Sequence, residues 1–368
     1  MKILIAGDFC PQCRVSELIV NNDYAAVFSN VRSDIEAADY SIVNFECPVC
    51  SGREKPIDKC GPNLCCNEKG LEAIKWAGFD CVTLANNHFF DYGEKGVKNT
   101  LAVCKKYDID VVGGGTNIRE ASQILYKVIN GRTIAVINCC EHEFSIATET
   151  SPGSNPLDPV QQYYAIKKAR VKADIVLVIV HGGNEHYQLP SPRMQDTYRF
   201  FVDAGADAVI NHHQHCYSGY EIYREKPIFY GLGNFCFDNE NKRQSKWNEG
   251  FILKLSFADN VKFEIIPYIQ CDNTPNVVKV SEDYFEESIS KLNKIISDEN
   301  GLSNRYYEYI NENSDLRKVF SPYSNRILDK LCAFHLLPSS IGKEKRRLML
   351  AYIQCESHFP KVINFLKR

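Results

Sequence analysis

Side chains that could bind metal ions follow five separate apolar segments of the 368-residue sequence. They are Asp8, Glu46, Asn87 with the adjacent His88, His181, and His213 with His215. Carboxylate, carboxamide and imidazole groups together suit divalent ions such as Mn²⁺, Zn²⁺ or Fe²⁺. Two such ions would polarise an anionic substrate and lower the pKa of a bound water. The residue types therefore predict a two-metal centre with hydrolytic chemistry, if folding brings the five segments together.

The segments that precede these residues are apolar and rich in β-branched side chains, which predicts strands. The predicted strands span residues 3–6, 41–45, 81–85, 174–180 and 206–210. In open α/β sheets, ligands bind outside the carboxyl ends of the strands. All the candidate ligands lie at such ends, so the pattern predicts one shared site.

The order of the remaining elements indicates the fold class. Helices are predicted over residues 67–77, 97–105 and 159–172, with a tight Gly93–Gly96 turn before the second. Asn130-Gly131 between two β-prone runs is a strong hairpin signal, and further strands are predicted from residue 220 to residue 269. We therefore predict an α/β fold in which two mixed sheets pack face to face with helices outside, a four-layer α/β/β/α sandwich.

The composition changes near residue 272, where a polar stretch leads into helical patterns. Apolar side chains at helical spacing predict a helix over residues 281–297. We predict two parts, a metal-binding domain over residues 1–271 and a C-terminal helical region over residues 272–368. No ligand constellation is evident in the second part, and His335 and His358 are interpreted as surface or core histidines.

The net charge of −3 gives no bulk field that would favour nucleic acid or an anionic membrane as a partner. The first nine residues contain too short an apolar run for a signal peptide, and no run reaches the roughly 18 apolar residues of a membrane span. These features predict a cytoplasmic protein without a membrane span.

The 16 cysteines allow an alternative to the metal centre described above. Two Cys-x-x-Cys pairs, Cys10 with Cys13 and Cys47 with Cys50, are the kind of ligand set that a zinc ribbon uses. The gap between the pairs exceeds the usual ribbon spacing. Thiolate-bound zinc at these pairs is the resulting alternative hypothesis.

An ordered set of short motifs resembles the calcineurin-like metallophosphoesterases, and within them the CapA/PgsA family linked to capsule and poly-γ-glutamate biosynthesis. The motifs are Gly7-Asp8, Asn44-Phe45-Glu46-Cys47-Pro48, Leu84-Ala85-Asn86-Asn87-His88, Asp91-Tyr92-Gly93, His181-Gly182-Gly183-Asn184-Glu185, His212-His213-Gln214-His215 and Tyr230-Gly231-Leu232-Gly233-Asn234-Phe235. Each motif alone is weak, but the set in this order is specific, and it spans about residues 3–240.

The resemblance implies a role for each matching residue. Asp8 and His215 would bind the first metal ion, Glu46 would bridge, and Asn87, His181 and His213 would bind the second. His88 would assist the leaving group, with Asp91 orienting it. The substrate pocket would include Asn44, Asn86, Glu185 and Asn234, with His186 at its rim. Glu185 and Asn234 would either line this pocket or support the metal ligands from behind. His212 is expected to point away, since adjacent residues of an extended segment face opposite sides.

Glu46 stands where the phosphoesterases usually have a bridging aspartate, a change that the CapA-like branch shares, and the sequence departs from the pattern at two further positions. Cys10 stands where the first motif normally has histidine, and Gly182 stands where tryptophan is common. Either Cys10 is a ligand of the first ion, or that ion binds weakly. The resemblance therefore implies a metal-dependent hydrolase of phosphoesterase type in capsule or poly-γ-glutamate biosynthesis or turnover, with an anionic small-molecule or polymer substrate. The alternative is a non-catalytic assembly factor of the capsule-synthesis machinery that keeps the metal-site scaffold.

Overall fold

The computed structural model describes residues 1–258, 261–320, 325–337 and 342–367. The strands are β1 (Lys2–Phe9), β2 (Tyr40–Phe45), β3 (Cys81–Thr83), β4 (Asp110–Val112), β5 (Gly114–Gly115), β6 (Leu125–Ile129), β7 (Arg132–Cys140), β8 (Gly153–Ser154), β9 (Ile175–His181), β10 (Ala208–His212), β11 (Tyr220–Tyr223), β12 (Lys226–Phe229), β13 (Asn234–Cys236), β14 (Glu249–Phe257), β15 (Val261–Gln270) and β16 (Val277–Lys279). The helices are α1 (Cys13–Val20), α2 (Tyr24–Glu36), α3 (Lys69–Ala77), α4 (Gly93–Lys106), α5 (Ile118–Ala121), α6 (Pro159–Lys172), α7 (Pro192–Ala204), α8 (Glu286–Ser297), α9 (Glu299–Glu312), α10 (Arg317–Phe320), α11 (Arg326–Ala333), α12 (Lys343–Gln354) and α13 (Phe359–Leu366).

Most strands belong to two mixed sheets. The first has the order β16-β15-β14-β1-β2-β3-β4, with β13 also paired to β1, and the second has the order β11-β12-β10-β9-β7-β6. Parallel pairs run from β1 to the edge strand β4 in the first sheet and form the centre of the second. The predicted hairpin at Asn130-Gly131 supplies the antiparallel pair β6 and β7. The predicted mixture of parallel and antiparallel strands is confirmed.

The alternation of side chains along the strands builds four layers. Ile3 and Ile5 of β1 point into a core that the two sheets share, whereas Leu4 points toward helices α1 to α4. In β9, Leu177 joins the shared core and Val178 packs with α6 and α7. Because strand side chains alternate between faces, each central strand serves two cores. The predicted α/β/β/α sandwich is confirmed.

Helix α4 begins at Gly93, four residues earlier than predicted, and includes both glycines that were expected to form a turn. The reason is packing. A Cβ at Gly96 would lie 3.1 Å from the Cβ of Pro48, so the missing side chain lets the helix approach the loop after β2.

The division into domains at residue 271 stays a prediction, but the first sheet and the core between the sheets continue past this residue. Strand β16 pairs with β15, so the first sheet continues beyond that boundary. Phe285 and Ile289, at the start of α8, are buried in the core between the sheets. The first helix of the C-terminal region is therefore part of the sandwich.

Within the described ranges, we find no helix that combines the length and the apolar character needed to cross a membrane. The compartment in which the protein works stays a prediction.

Candidate metal centre

The ends of the parallel strands bring the candidate ligands to one edge of the sandwich. Asp8 pairs with Asn44 between β1 and β2, and His212 pairs with His181 between β10 and β9. Because parallel strands end on the same side of a sheet, residues that are distant in the sequence become neighbours.

One group of side chains surrounds the His181 imidazole. The Nε2 atom of His181 lies 3.0 Å from Asn87 Oδ1, 3.1 Å from His213 Nδ1 and 3.5 Å from Glu46 Oε1. Burial, followed by the neighbouring His213, lowers the pKa of His181 well below its usual value, so the ring is neutral. A neutral imidazole is the form that binds a metal ion.

A second group shares Glu46. His215 lies between two carboxylates, with Nδ1 3.7 Å from Asp8 Oδ2 and Nε2 3.7 Å from Glu46 Oε1. One ligand atom from each of these three residues falls within 4.8 Å of the others. Glu46 is common to both groups, which is the position of a bridging carboxylate.

The environment of Glu46 fits divalent cations. Its side chain is 0% exposed, and neither carboxylate oxygen has a hydrogen-bond partner among the described residues. Burial and the nearby Asp8 raise its pKa well above the usual value. A buried carboxylate without a partner is costly, and cations between the two ligand groups would remove that cost.

Three asparagines that are predicted to bind substrate have hydrogen-bond partners within or next to the ligand groups. Asn44 Nδ2 donates to Asp8 Oδ1 at 2.7 Å, and Asn234 Oδ1 lies 2.9 Å from His215 Nδ1. Asn86 donates to the Phe45 carbonyl and accepts from the His88 amide. All three are buried, and these contacts hold the surrounding groups in position, while their role in binding substrate stays a prediction.

His212 was expected to point away from the site, and this was wrong. Its Nδ1 atom lies 3.6 Å from Asp8 Oδ1 and has no hydrogen-bond partner within the described ranges. The backbone turns sharply after β10, with φ of 93° at His213 and 53° at His215, so the alternation of an extended segment does not apply. His212 is therefore a further imidazole beside Asp8.

The structure does not bring Cys10 into either ligand group. Its sulfur accepts from Gln12 Nε2 at 3.4 Å, and the neighbouring thiols Cys47 and Cys66 lie near it in the core under the helices. Cys13 is exposed. Across the part of the chain that the structure describes, Cys10, Cys13, Cys47 and Cys50 form no three-ligand cluster, which leaves the zinc-ribbon alternative without support.

His88 lies beside the ligand groups and is held by Asp91, as expected. His88 Nδ1 is 2.7 Å from Asp91 Oδ2, which also accepts from the Leu64 amide at 2.7 Å. Burial lowers the pKa of His88, although Asp91 opposes this effect. The contact at Nδ1 leaves Nε2 available for a ligand.

Lys59 is a site residue that the sequence did not reveal. Its ammonium group forms an ion pair with Asp91 and lies 3.2 Å from His88 Nδ1, and its side chain is only 2% exposed. In the sequence it is one lysine of a polar loop, with no motif around it. Only the fold of residues 51–66 over Asp91 brings it to the site.

A model of the family described as bacterial capsule synthesis protein PGA_cap matches residues 2–239. The chain belongs to this family. The match includes every candidate ligand of the metal centre, and it confirms the family resemblance found in the motifs.

Two relatives carry printed names that agree with the family. The capsule biosynthesis protein CapA of Bacillus anthracis is 36% identical over 246 residues, which are 65% of this chain and 60% of that protein. The PGA biosynthesis protein CapA of Bacillus subtilis (strain 168) is 34% identical over 279 residues, which are 74% of this chain and 72% of that protein.

Solved structures with a similar fold are more distant. A hypothetical protein from Thermus thermophilus is 15% identical with a TM-score of 0.46, and covers 73% of this chain and 99% of its own. The calcineurin-like phosphoesterase YfkN from Bacillus subtilis is 14% identical with a TM-score of 0.40, and covers 83% of this chain and 98% of its own. These likenesses concern the fold alone.

Residues beyond the family match contact the loop that follows β9. Tyr309 of α9 stacks on Tyr187, in the loop after β9, with ring centroids 4.2 Å apart. Lys361 of α13 donates to the Tyr309 hydroxyl at 3.1 Å. Glu185 and His186 of the same loop are exposed, and their positions at a substrate pocket and its rim stay predictions.

The C-terminal helices also contact the loop that carries Lys59. Arg347 of α12 forms an ion pair with Asp58. His335 is exposed, in agreement with its interpretation as a surface residue. His358 is different, because one of its nitrogens lies within 4.8 Å of ligand atoms of Glu143 and Cys355. The C-terminal region therefore contributes Cys355 and His358 to a possible ligand group that it shares with Glu143 of the first part.

Proposed function

We propose that this protein is a metal-dependent hydrolase of phosphoesterase type that acts on an anionic substrate in capsule or poly-γ-glutamate biosynthesis or turnover. The observation that carries the proposal is Glu46, a buried carboxylate without a hydrogen-bond partner in the described chain, placed between two sets of ligands. The biological context comes from the family and from relatives named for capsule and PGA biosynthesis.

Asp8, Glu46 and His215 would hold one ion, and Glu46, Asn87, His181 and His213 would hold the other. Ions bound there would neutralise an anionic substrate and activate a water for attack. Asn44 and Asn234 orient the ligands from behind. Asp91 fixes the His88 ring through Nδ1, so that Nε2 can pass a proton to the departing oxygen.

The decisive experiment compares His88→Ala with the wild-type chain after purification without added metal. We expect the metal content per chain to be unchanged, because His88 is not among the ligands. Turnover of a panel of phosphomonoesters and phosphodiesters should fall by roughly 10²- to 10⁴-fold, the usual effect of losing a general acid. Elemental analysis and initial rates provide the two measurements.

His335→Ala is the matched control, since His335 is an exposed histidine far along the chain. This variant should alter neither the metal content nor the turnover. Equal turnover in His88→Ala and the wild type would refute the assigned role, and a metal-free wild-type protein that gains no activity with Mn²⁺, Zn²⁺ or Fe²⁺ would refute the hydrolase.

A non-catalytic assembly factor is the second candidate, and one observation favours it. The position at which the first motif would supply an imidazole is Cys10, whose sulfur contacts Gln12 rather than the Asp8 group. That leaves Asp8, Glu46 and His215 for the first ion, with His212 nearby. A protein that binds metal but hydrolyses none of the esters would favour this candidate, with the centre gripping an anionic polymer.

A further inference from the structure

We propose a second, structural zinc site at the junction between the sandwich and the C-terminal helices, formed by Glu143, Cys355 and His358, with Glu141 beside Cys355. The site is separate from the ligand groups around Glu46 and does not depend on the proposed hydrolase activity. It would join the loop after β7 to the segment between α12 and α13.

The distances at Cys355 fit a tetrahedral ion. Its Sγ atom lies 3.7 Å from Glu141 Oε2 and 3.8 Å from Glu143 Oε1. Bonds of about 2.3 Å to sulfur and about 2.0 Å to oxygen or nitrogen separate the ligand atoms of tetrahedral zinc by roughly 3.5 Å. One ligand atom each from Glu143, Cys355 and His358 also falls within 4.8 Å of the other two.

Two further observations indicate that this cluster of side chains binds a cation. Cys355 is 1% exposed and its Sγ atom is within contact distance of two carboxylates, so its thiolate form requires a cation beside it. His358 Nδ1 is buried and has no hydrogen-bond partner among the described residues, although the His358 ring stacks on Tyr352. A cation would satisfy the thiolate, the ring nitrogen and the carboxylates at once.

The fold makes room for this arrangement at Gly182. A Cβ at that position would lie 2.6 Å from Glu141 Cγ, so the absence of a side chain allows Glu141 to turn toward Cys355. Arg193 binds the other oxygen of Glu141 and holds the carboxylate in place. Cysteine sulfur, histidine nitrogen and carboxylate oxygen are all ligands of Zn²⁺.

The test uses the full chain carrying both Asp8→Ala and His213→Ala. This double variant lacks one ligand of each ion of the first centre. We expect this variant to retain about one equivalent of zinc. After exchange with Co²⁺, it should show a sulfur-to-cobalt charge-transfer band, because Cys355 is the thiolate of the proposed site. Zinc should also raise its Tm, since the ion would join two parts of the fold.

Adding Cys355→Ser or His358→Ala to this background should abolish the zinc equivalent, the cobalt band and the Tm increase. Cys104→Ser is the matched control, because Cys104 is an equally buried thiol in α4 and should change none of them. His358 is less buried than Cys355, so its variant keeps the test valid if Cys355→Ser fails to fold. A band that survives both substitutions, or a background variant without zinc, would overturn the proposal.

Discussion

At the scale of single residues, Glu46 is a candidate metal ligand whose burial costs the fold stability. It lies at the end of a fully buried strand, and the groups around it are other ligands rather than donors. The protein alone therefore bears the cost of burying this carboxylate, and bound cations would offset it.

We predict that Glu46→Gln raises the stability of the metal-free protein while it lowers the metal content. The neutral amide removes an unpartnered buried acid, and a gain on the order of 1 kcal/mol in the free energy of unfolding is expected. Urea unfolding of chelator-treated protein and elemental analysis measure the two effects.

Glu221→Gln is a control for which we expect the opposite change in the free energy of unfolding. Glu221 is a carboxylate with partners, since it forms an ion pair with Arg199 at 2.7 Å and accepts from the Tyr230 hydroxyl. Its substitution should lower stability and leave the metal content intact. A loss of stability in Glu46→Gln would contradict our account of the buried carboxylate.

At the scale of elements, the loop over residues 51–66 is tied to the site through Asp91. The Asp91 carbonyl accepts from the Ile57 amide, and its side chain accepts from the Leu64 amide and pairs with Lys59. One aspartate thus orients His88 and anchors the loop, so the position of the loop and that of the histidine are coupled.

We predict that Lys59→Met loosens this loop and lowers stability by about 3 kcal/mol, because it removes one partner of a buried ion pair. Limited proteolysis should cleave within residues 51–66 faster than in the wild type, and the metal content should not change. Lys55→Met, an exposed lysine of the same loop, is the control and should behave as the wild type. Equal cleavage rates in both variants would show that Lys59 does not anchor the loop.

At the scale of the whole molecule, the C-terminal region is integrated with the sandwich. Phe285 and Ile289 of α8 complete the core between the sheets, and Ile296 packs in the core beneath α6 and α7. Tyr309 and Lys361 then reach the loop beside the metal centre. Changes in the C-terminal helices should therefore affect the stability of the sheets.

Ile289→Ala should lower the free energy of unfolding by about 2–5 kcal/mol, the usual cost of a cavity at a buried isoleucine. Ile289 is 7% exposed, whereas Ile327 on α11 is 69% exposed. Ile327→Ala is therefore the control and should change stability by less than about 0.5 kcal/mol. Denaturant titration measures both variants, and a single unfolding transition in each would support the integrated core. A small effect of Ile289→Ala would contradict it.

Local sequence patterns specify the sandwich and most of the candidate ligands. Short continuous apolar runs predict strands, and Asp8, Glu46 and His181 lie at the ends of such runs. Because the chain connects parallel strands in one direction, their ends meet at one edge, so the convergence followed from local patterns alone.

Only the tertiary structure decided which partners these residues have. Lys59 and Cys355 reach their sites through contacts between segments far apart in the chain, and no local spacing encodes such contacts. The orientation of His212 depends on a backbone turn at His213, and the role of Asn44 depends on strand register. Local patterns specify which elements form and which face is apolar, whereas side-chain pairing depends on packing between elements, which no short stretch of sequence contains.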